Sequence, residues 1–382
     1  MKQQHVSVSV SSTLDRIRSE YADILQSKPF SLERLFSPRD YPFNEFCKTF
    51  SAYPQSEQLI GIAEQFGREH GVWQGHTRYY INCAALLYPN ATADRMLTIM
   101  KNLTLGFYLN DVMGRDVFQF LSPEEQLAAE KIICDMARLD ADLELPAGAS
   151  AIEEANAIVL REFRAQSTKE WFSRFQRLYT HHIDVTHRDG NTRAQGRVPD
   201  VIEYIERRCH TAGMNHIVLW VEFSDGQFLE WAQLKEMALT QKMERLHWLT
   251  AAFGALSNDL FSFEKEVVDS DSDSNLVAII ALNNPRMSLK EAIYQASEVV
   301  RSHVLELMSL LETLKGEMRK LDQTNPVFAS RLTAHLRGIV RFVQASWLWQ
   351  LHAGRYKRVL SIWVETTLVS KVGGDVTPVE RC

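Results

Sequence analysis

Three oxygen-bearing side chains fall four residues apart in the run Asn258-Asp259-Leu260-Phe261-Ser262-Phe263-Glu264-Lys265-Glu266. An α-helix turns once in about 3.6 residues, so Asn258, Ser262 and Glu266 stack on one face. An amide oxygen, a hydroxyl and a carboxylate pointing the same way form a hard-oxygen set. Such a set suits Mg²⁺, which keeps several waters and is commonly shared with phosphate groups. The plainer alternative is a solvated helix face carrying the Glu264, Lys265 and Glu266 charges.

A second acidic group ends an otherwise apolar helical pattern: Phe107-Tyr108-Leu109-Asn110-Asp111-Val112-Met113-Gly114-Arg115-Asp116. Asp111 and Asp116 come near each other if the helix ends at Gly114. Two acidic helices facing across a bundle can hold several Mg²⁺ ions around one diphosphate. Arg207-Arg208 leads into a Thr211-Ala212-Gly213 break. There a guanidinium fork matches phosphate oxygens, and freed carbonyls could face a developing cation. Arg355-Tyr356 follows Trp347 and Trp349, and with Phe107, Tyr108 and Trp220 these aromatics could line a cavity whose π-faces stabilise cations. The acidic run Asp269-x-Asp271-x-Asp273 opens like a calcium loop, but Ser274 and Ile280 stand where that loop needs Gly and Glu. It reads as a solvated acidic loop.

The elements that must position these groups are helical. Apolar residues recur at three-to-four spacing, and Gly and Pro mostly fall between periodic segments. The spacing predicts helices over 13–27, 57–71, 74–87, 92–113, 122–139, 150–163, 167–187, 200–212, 214–222, 227–265, 289–320 and 326–370. Prolines at 29, 38, 42 and 54 break the stretch after the first helix. Segments 187–198 and 267–275 read as mobile loops. Long alternation of the β type is nearly absent, so the chain is all-α.

A chain of 382 residues can bury a substantial core, and 45% hydrophobic with 24% charged residues is ordinary for a globular protein. A net charge of −6 leaves no electrostatic footprint for nucleic acid. Five scattered cysteines without a CxxC pair signal neither a zinc site nor a disulfide framework, and fit reduced thiols in a cytosol. The first twelve residues lack the apolar core of a signal peptide, and no apolar run reaches membrane-spanning length.

Asn258-Asp259-Leu260-x-Ser262-x-x-Lys265-Glu266 resembles the NDxxSxxKE signature of microbial (bacterial-type) class I terpene synthases at every defined position. Asn275-Leu276-Val277 resembles the segment that follows it. Arg208 with Thr211, Ala212 and Gly213 is similar to that family's diphosphate-sensing arginine, linker and effector region, and Arg355-Tyr356 to its C-terminal RY pair. The likeness runs from about residue 70 to 365. The earlier acidic helix departs from the family's DDxxD or DDxxxD. With Asp111 first, Asp116 takes the last place and Val112 replaces the second Asp. With Asn110 first, Asp111 is second and Gly114 stands at the last place. The first alignment keeps two carboxylates, and both keep Asp111.

The resemblance implies a single class I terpenoid-synthase helical bundle around a deep apolar active-site cavity. It would span residues 56–370, after an N-terminal segment 1–55 with a short helix and a Pro-rich stretch, and before a tail at 371–382. It implies a Mg²⁺-dependent cyclase that ionises a linear prenyl diphosphate, cyclises the carbocation to a terpene hydrocarbon or alcohol, and releases diphosphate. Asp111, Asp116, Asn258, Ser262 and Glu266 would hold about three Mg²⁺ ions, for which Mn²⁺ can substitute. Arg208, Lys265, Arg355 and Tyr356 would bind the diphosphate, while Phe107, Ala212 and Trp347 would face the isoprenoid. Catalysis would turn on Asp111, Arg208, Arg355 and Tyr356. Chain length tilts the substrate toward geranylgeranyl over farnesyl diphosphate. Antiparallel homodimers are common in the family, and a cytoplasmic location follows. A chain-elongating prenyl diphosphate synthase would instead carry two DDxxD motifs. A non-catalytic isoprenoid-binding helical protein is the reading that the imperfect first motif favours.

Overall fold

The computed structural model describes residues 2–368 apart from 40, 41, 49, 119, 189–191 and 322, and leaves out the side chains of 2–5, 115, 116, 187 and 188. Every long element among the described residues is a helix, and extended pairing is confined to isolated bridges between Phe30 and Trp363 and between Arg358 and Thr367. Helix starts follow local chemistry. Ser122 accepts from Glu125 N while Glu125 accepts from Ser122 N, with Pro123 at the first helical position, and Ser150 with Glu153 repeats the reciprocal pair. Thr92 and Asp200 cap the Ala93–Met113 and Val201–Thr211 helices by the same oxygen-to-amide bond.

The Thr240–Phe263 helix is the axis of the bundle. Almost every residue from Met243 to Phe263 is buried, as expected for a helix with small or apolar residues on every face. The Val201–Thr211, Leu276–Asn283, Leu289–Leu321 and Pro326–His352 helices pack against it. Gly254 and Gly338 permit close approach: a Cβ there would meet Met214 Cε at 2.1 Å and Val221 Cγ1 at 2.3 Å. No helix among the described residues is long and apolar enough to cross a membrane. Burial pushes the Cys47, Cys83 and Cys209 thiols up to about 12, which keeps them protonated and inert.

Several boundaries differ from the periodic pattern. The 227–265 segment divides into Trp231–Glu236 and Thr240–Phe263 because Ala238 adopts φ 55°. The 74–87 segment divides into Thr77–Ile81 and Cys83–Leu87. The last helix stops at His352, and the chain returns so that Phe30 N donates to Ile362 O (2.7 Å) and Val364 N to Phe30 O (2.8 Å). The first helix runs from Lys2 to Leu25, well beyond the expected start at residue 13. The Leu276–Asn283 helix is apolar and buried from Leu276 to Leu282, with no polar face to reveal its period.

The acidic segment is a solvated loop only in part, since Asp269 and Ser270 are exposed. A π-helix, Glu264–Asp269, continues the axial helix, and Ser272 to Asn275 are buried behind it. Asp273 is fully buried and accepts from Thr192 N and Arg193 N, both at 2.9 Å, capping the Thr192–Gln195 helix. Asp271 bonds Arg18 and Arg193. Burial alone would raise its carboxyl, but the two guanidiniums hold it below the usual carboxylate range. The other expected loop, 187–198, is likewise helical over Lys169–Arg188 and Thr192–Gln195, with 189–191 outside the described residues.

Candidate active site

The axial helix presents Asn258 to two partners that fix its amide: Oδ1 accepts from Arg208 Nη2 at 3.1 Å, and Nδ2 donates to Tyr356 Oη at 2.7 Å. Three separate motifs of the sequence therefore meet at one side chain. Ser262 Oγ, buried, donates to Asn258 O at 2.7 Å, so its lone pairs remain available to a further ligand. Glu266 Oε2 accepts from Asn275 Nδ2 at 3.1 Å, and that amide also donates to Asp259 O at 2.7 Å. Asn275 thus ties the wide π-turn to the regular helix above it and keeps Glu266 on the Asn258 side.

Arg208 is oriented by Asp259. This carboxylate is fully buried and accepts from Arg208 Nε at 2.7 Å, Tyr204 Oη at 2.5 Å and Leu276 N at 2.9 Å. Burial alone would lower the guanidinium's pKa, but Asp259, Tyr204 and Glu266 outweigh it and the value is raised. Arg207, by contrast, lies on the outer face of the same helix, where it bonds Gln195 at 2.8 Å and lines an open cavity of about 640 Å³ with His181, Glu203, Glu206 and His210.

Arg355 stands between the two acidic helices. Burial opposes its charge, yet Tyr356, Tyr80, Glu266 and Asp111 raise its pKa, so one expected metal-binding carboxylate from each acidic helix acts on this one guanidinium. Its carbon lies 4.8 Å from the Tyr80 ring centre and 5.4 Å from that of Tyr356, and its Nε is a buried donor without a hydrogen-bond partner. Asp111 Oδ2 meets His76 Nε2 at 2.8 Å, and its Oδ1 accepts from Asn110 Nδ2 at 2.9 Å. Phe107 is half-buried with its ring centre 4.8 Å from that of Tyr80.

The expected helix end at Gly114 is present. The Ala93–Met113 helix stops there, and a Cβ at Gly114 would lie 2.2 Å from Asn110 O, so a larger residue would collide with the turn that carries Asp111. Asp116 belongs to the short Arg115–Phe118 helix, and its side chain lies outside the described residues. The helix break after Thr211 is also present: Gly213 has φ 71°, and Ala212, half-buried, closes the helix by donating its N–H to Arg208 O at 2.9 Å. Among the hydrogen bonds of the described residues, none ends on the carbonyl oxygens of Thr211 or Ala212.

Two further assigned side chains differ in exposure. Lys265, on the π-turn, is exposed. Trp347 is fully buried among Phe43, Phe261 and Phe36, with ring centres at 5.1, 5.5 and 6.0 Å, in the seam between the last helix and the N-terminal segment. Sequence reasoning gave no role to Asp259, Tyr204, His76, Tyr80 and Asn275. Asp259, which adjoins Asn258 and turns toward the opposite, buried side, and Asn275, which opens the Asn275-Leu276-Val277 segment, are the two that left a local signal.

A second polar group lies eleven residues earlier on the axial helix, about 16 Å along its axis. His247 Nε2 and His335 Nε2 are 2.8 Å apart, and with Glu222 they could supply three ligand atoms to an ion. Glu222 already accepts from Leu229 N at 2.8 Å and shares its surroundings with the Arg174 guanidinium. That cation opposes a dication there, so the group is a core network separate from the site.

The family model described as "Terpene synthase family 2, C-terminal metal binding" matches residues 101–306. A sesquiterpene cyclase, hepA, of Aspergillus oryzae is 24% identical over 169 residues, 44% of this chain and 43% of that protein, so the match spans less than half of that relative. A 7-epi-alpha-eudesmol synthase ((2E,6E)-farnesyl diphosphate cyclizing) of Streptomyces viridochromogenes is 24% identical over 279 residues, 72% of this chain and 77% of that one. The crystal structure of a-eudesmol synthase superposes with a TM-score of 0.66 at 20% identity, over 79% of this chain and 96% of that chain.

Proposed function

The chain belongs to terpene synthase family 2, and we propose that it is a class I terpene cyclase in which the site around Asn258 ionises a prenyl diphosphate. The observation that supports this most is the meeting of Arg208, Asn258 and Tyr356 beside Arg355, which both Glu266 and Asp111 influence. The donor set fits the divalent metal that the family description implies. Asn258, Ser262 and Glu266 offer hard oxygens on one side, Asp111 offers a carboxylate on the other, with Asp116 taken from the sequence motif as its companion, and the unpartnered Nε of Arg355 calls for an anion between them. A bound divalent ion, taken here as Mg²⁺, would supply positive charge to the departing diphosphate.

The protein's own groups do the rest. Arg208, Arg355 and Tyr356 hold the diphosphate, so the C1–O bond breaks heterolytically and both electrons leave with oxygen. Half-buried aromatics such as Phe107 shield the allyl cation from water while its distal double bond attacks C1, and loss of a proton or capture of water ends the reaction. The carbonyls of Thr211 and Ala212 at the helix break offer negative dipoles to that cation. The domain limits of 56–370 between 1–55 and 371–382 belong to the same proposal.

Farnesyl diphosphate is the substrate we favour. The Streptomyces relative's name specifies it. The length that suggests a longer substrate lies outside the shared fold, since 96% of the superposed synthase is covered by only 79% of this chain. Incubation with Mg²⁺ and each of geranyl, farnesyl and geranylgeranyl diphosphate, followed by product analysis by gas chromatography and mass spectrometry, tests the reading. A cyclic C15 product supports it, a lengthened linear diphosphate points to chain elongation, and no diphosphate release from any substrate rules out an enzyme.

A further inference from the structure

Glu264 opens the π-turn two residues before Glu266 but faces the other way. It is 2% exposed, and its oxygens accept from Tyr21 Oη at 2.8 Å, Ser361 Oγ at 2.6 Å and Ile362 N at 3.0 Å. One donor comes from the N-terminal helix and two from the C-terminal segment. The same two segments hold the outer side of the turn further along: Arg18 bonds Asp271, and Arg358 grips Asp269 through Nη1 and Nη2 at 2.8 and 2.9 Å. Ser361 is itself fixed, since its Oγ accepts from Trp363 N at 2.9 Å and meets Thr366 Oγ1 at 2.7 Å.

A π-turn is a rare, widened turn that concentrates at functional sites. A buried carboxylate is tolerated only where its oxygens find donors, so three donors far apart in sequence make Glu264 a fixed point. We infer that Glu264 is a positioning residue for Glu266: the N-terminal helix and the 358–366 strap, both outside the matched residues 101–306, clamp the π-turn so that Glu266 is presented to the metal. This inference rests on the proposed metal-dependent site. Tyr21 and Ser361 are the clamp's removable contacts, because neither touches that site.

The test uses the full chain and Mn²⁺ with inorganic diphosphate, free Mn²⁺ being followed by electron paramagnetic resonance, while circular dichroism monitors helix content and melting. The Tyr21→Phe/Ser361→Ala double variant should need at least five-fold more Mn²⁺ for half-saturation while keeping wild-type helix content, and Glu264→Gln should move in the same direction. Mn²⁺ affinity unchanged in the double variant, with or without a lower melting temperature, overturns the inference and leaves only a structural contact. If the double variant does not fold, Tyr21→Phe alone decides by the same criterion at a two-fold shift. Wild-type protein that binds no Mn²⁺ with diphosphate, or binds it as well after Glu266→Gln, removes the metal-site reading itself.

Discussion

Removing the charge of Asp259 should disable the site without altering any proposed metal ligand. The carboxylate is fully buried and its principal partner, Arg208, is 7% exposed, so neither charge has water to fall back on. In Asp259→Asn one carbonyl oxygen survives, while the new amide N–H₂ meets a donor in either orientation: Arg208 Nε at the Oδ1 position, or Tyr204 Oη and Leu276 N at the Oδ2 position. Breaking one partner of a buried ion pair costs about 3–5 kcal/mol. Unfolding entropy of about 2 cal/mol/K per residue, summed over 382 residues, converts this into a melting temperature lower by about 4–6 °C. Freed from Asp259, the guanidinium no longer holds the pose that brings Nη2 to Asn258, and kcat/KM for farnesyl diphosphate should fall at least ten-fold, by about 1.4 kcal/mol or more.

The double variant Arg208→Met/Asp259→Leu separates the two effects. Apolar replacement of a whole buried pair is often neutral or stabilising. The double variant should therefore melt higher than Asp259→Asn yet remain inactive. Melting by circular dichroism and turnover by diphosphate release are the assays. If Asp259→Asn melts within 1 °C of wild type and keeps full kcat/KM, the ion pair neither stabilises the fold nor orients Arg208, and the reasoning fails.

Glu266→Gln and Asp111→Asn should each nearly abolish turnover in the diphosphate-release assay, whereas Asp116→Asn should cost less if Asn110 rather than Asp111 occupies the first place of the acidic motif. Gly114→Ala places a methyl 2.2 Å from Asn110 O and should destabilise by about 1–3 kcal/mol in urea titration; Gly61→Ala, in the Ser56–Glu69 helix with nothing within 4 Å, should stabilise by about 0.5–1 kcal/mol. Burial, with Arg174 nearby, holds His335 down to about 3, so stability present above its unfolded value is lost as pH falls; burial pushes Glu222 up to about 7, so stability present below its unfolded value is lost as pH rises. The two oppose between about pH 6.5 and 5, and Glu222→Gln should make the loss on acidification steeper by about 2 kcal/mol, read from urea midpoints at both pH values.

What the sequence makes legible is what short-range periodicity decides. The acidic helix end at Gly114 and the break at Gly213 each follow from one residue's backbone freedom, and the structure contains both, whereas of the expected α-helical face only Asn258 and Ser262 lie on the axial α-helix and Glu266 is carried by the π-turn that follows it. The misreadings share one cause. Asp271 and Asp273 look fully solvated because their counter-charges and donors are the guanidiniums of Arg18 and Arg193 and the amides of Thr192 and Arg193, between 78 and 253 residues away. Asp259 looks like a minor member of its motif because the guanidinium that gives it meaning lies 51 residues earlier. Glu264 looks like surface charge because its donors are 97 and 243 residues off. A carboxylate's burial is set by what faces it, and helical periodicity carries no information about the facing element. Burial of Asp259, Glu264 and Asp273 is therefore set by donors that come from distant segments of the chain, and of the three it is Asp259 that reaches the Asn258 side chain, through Arg208.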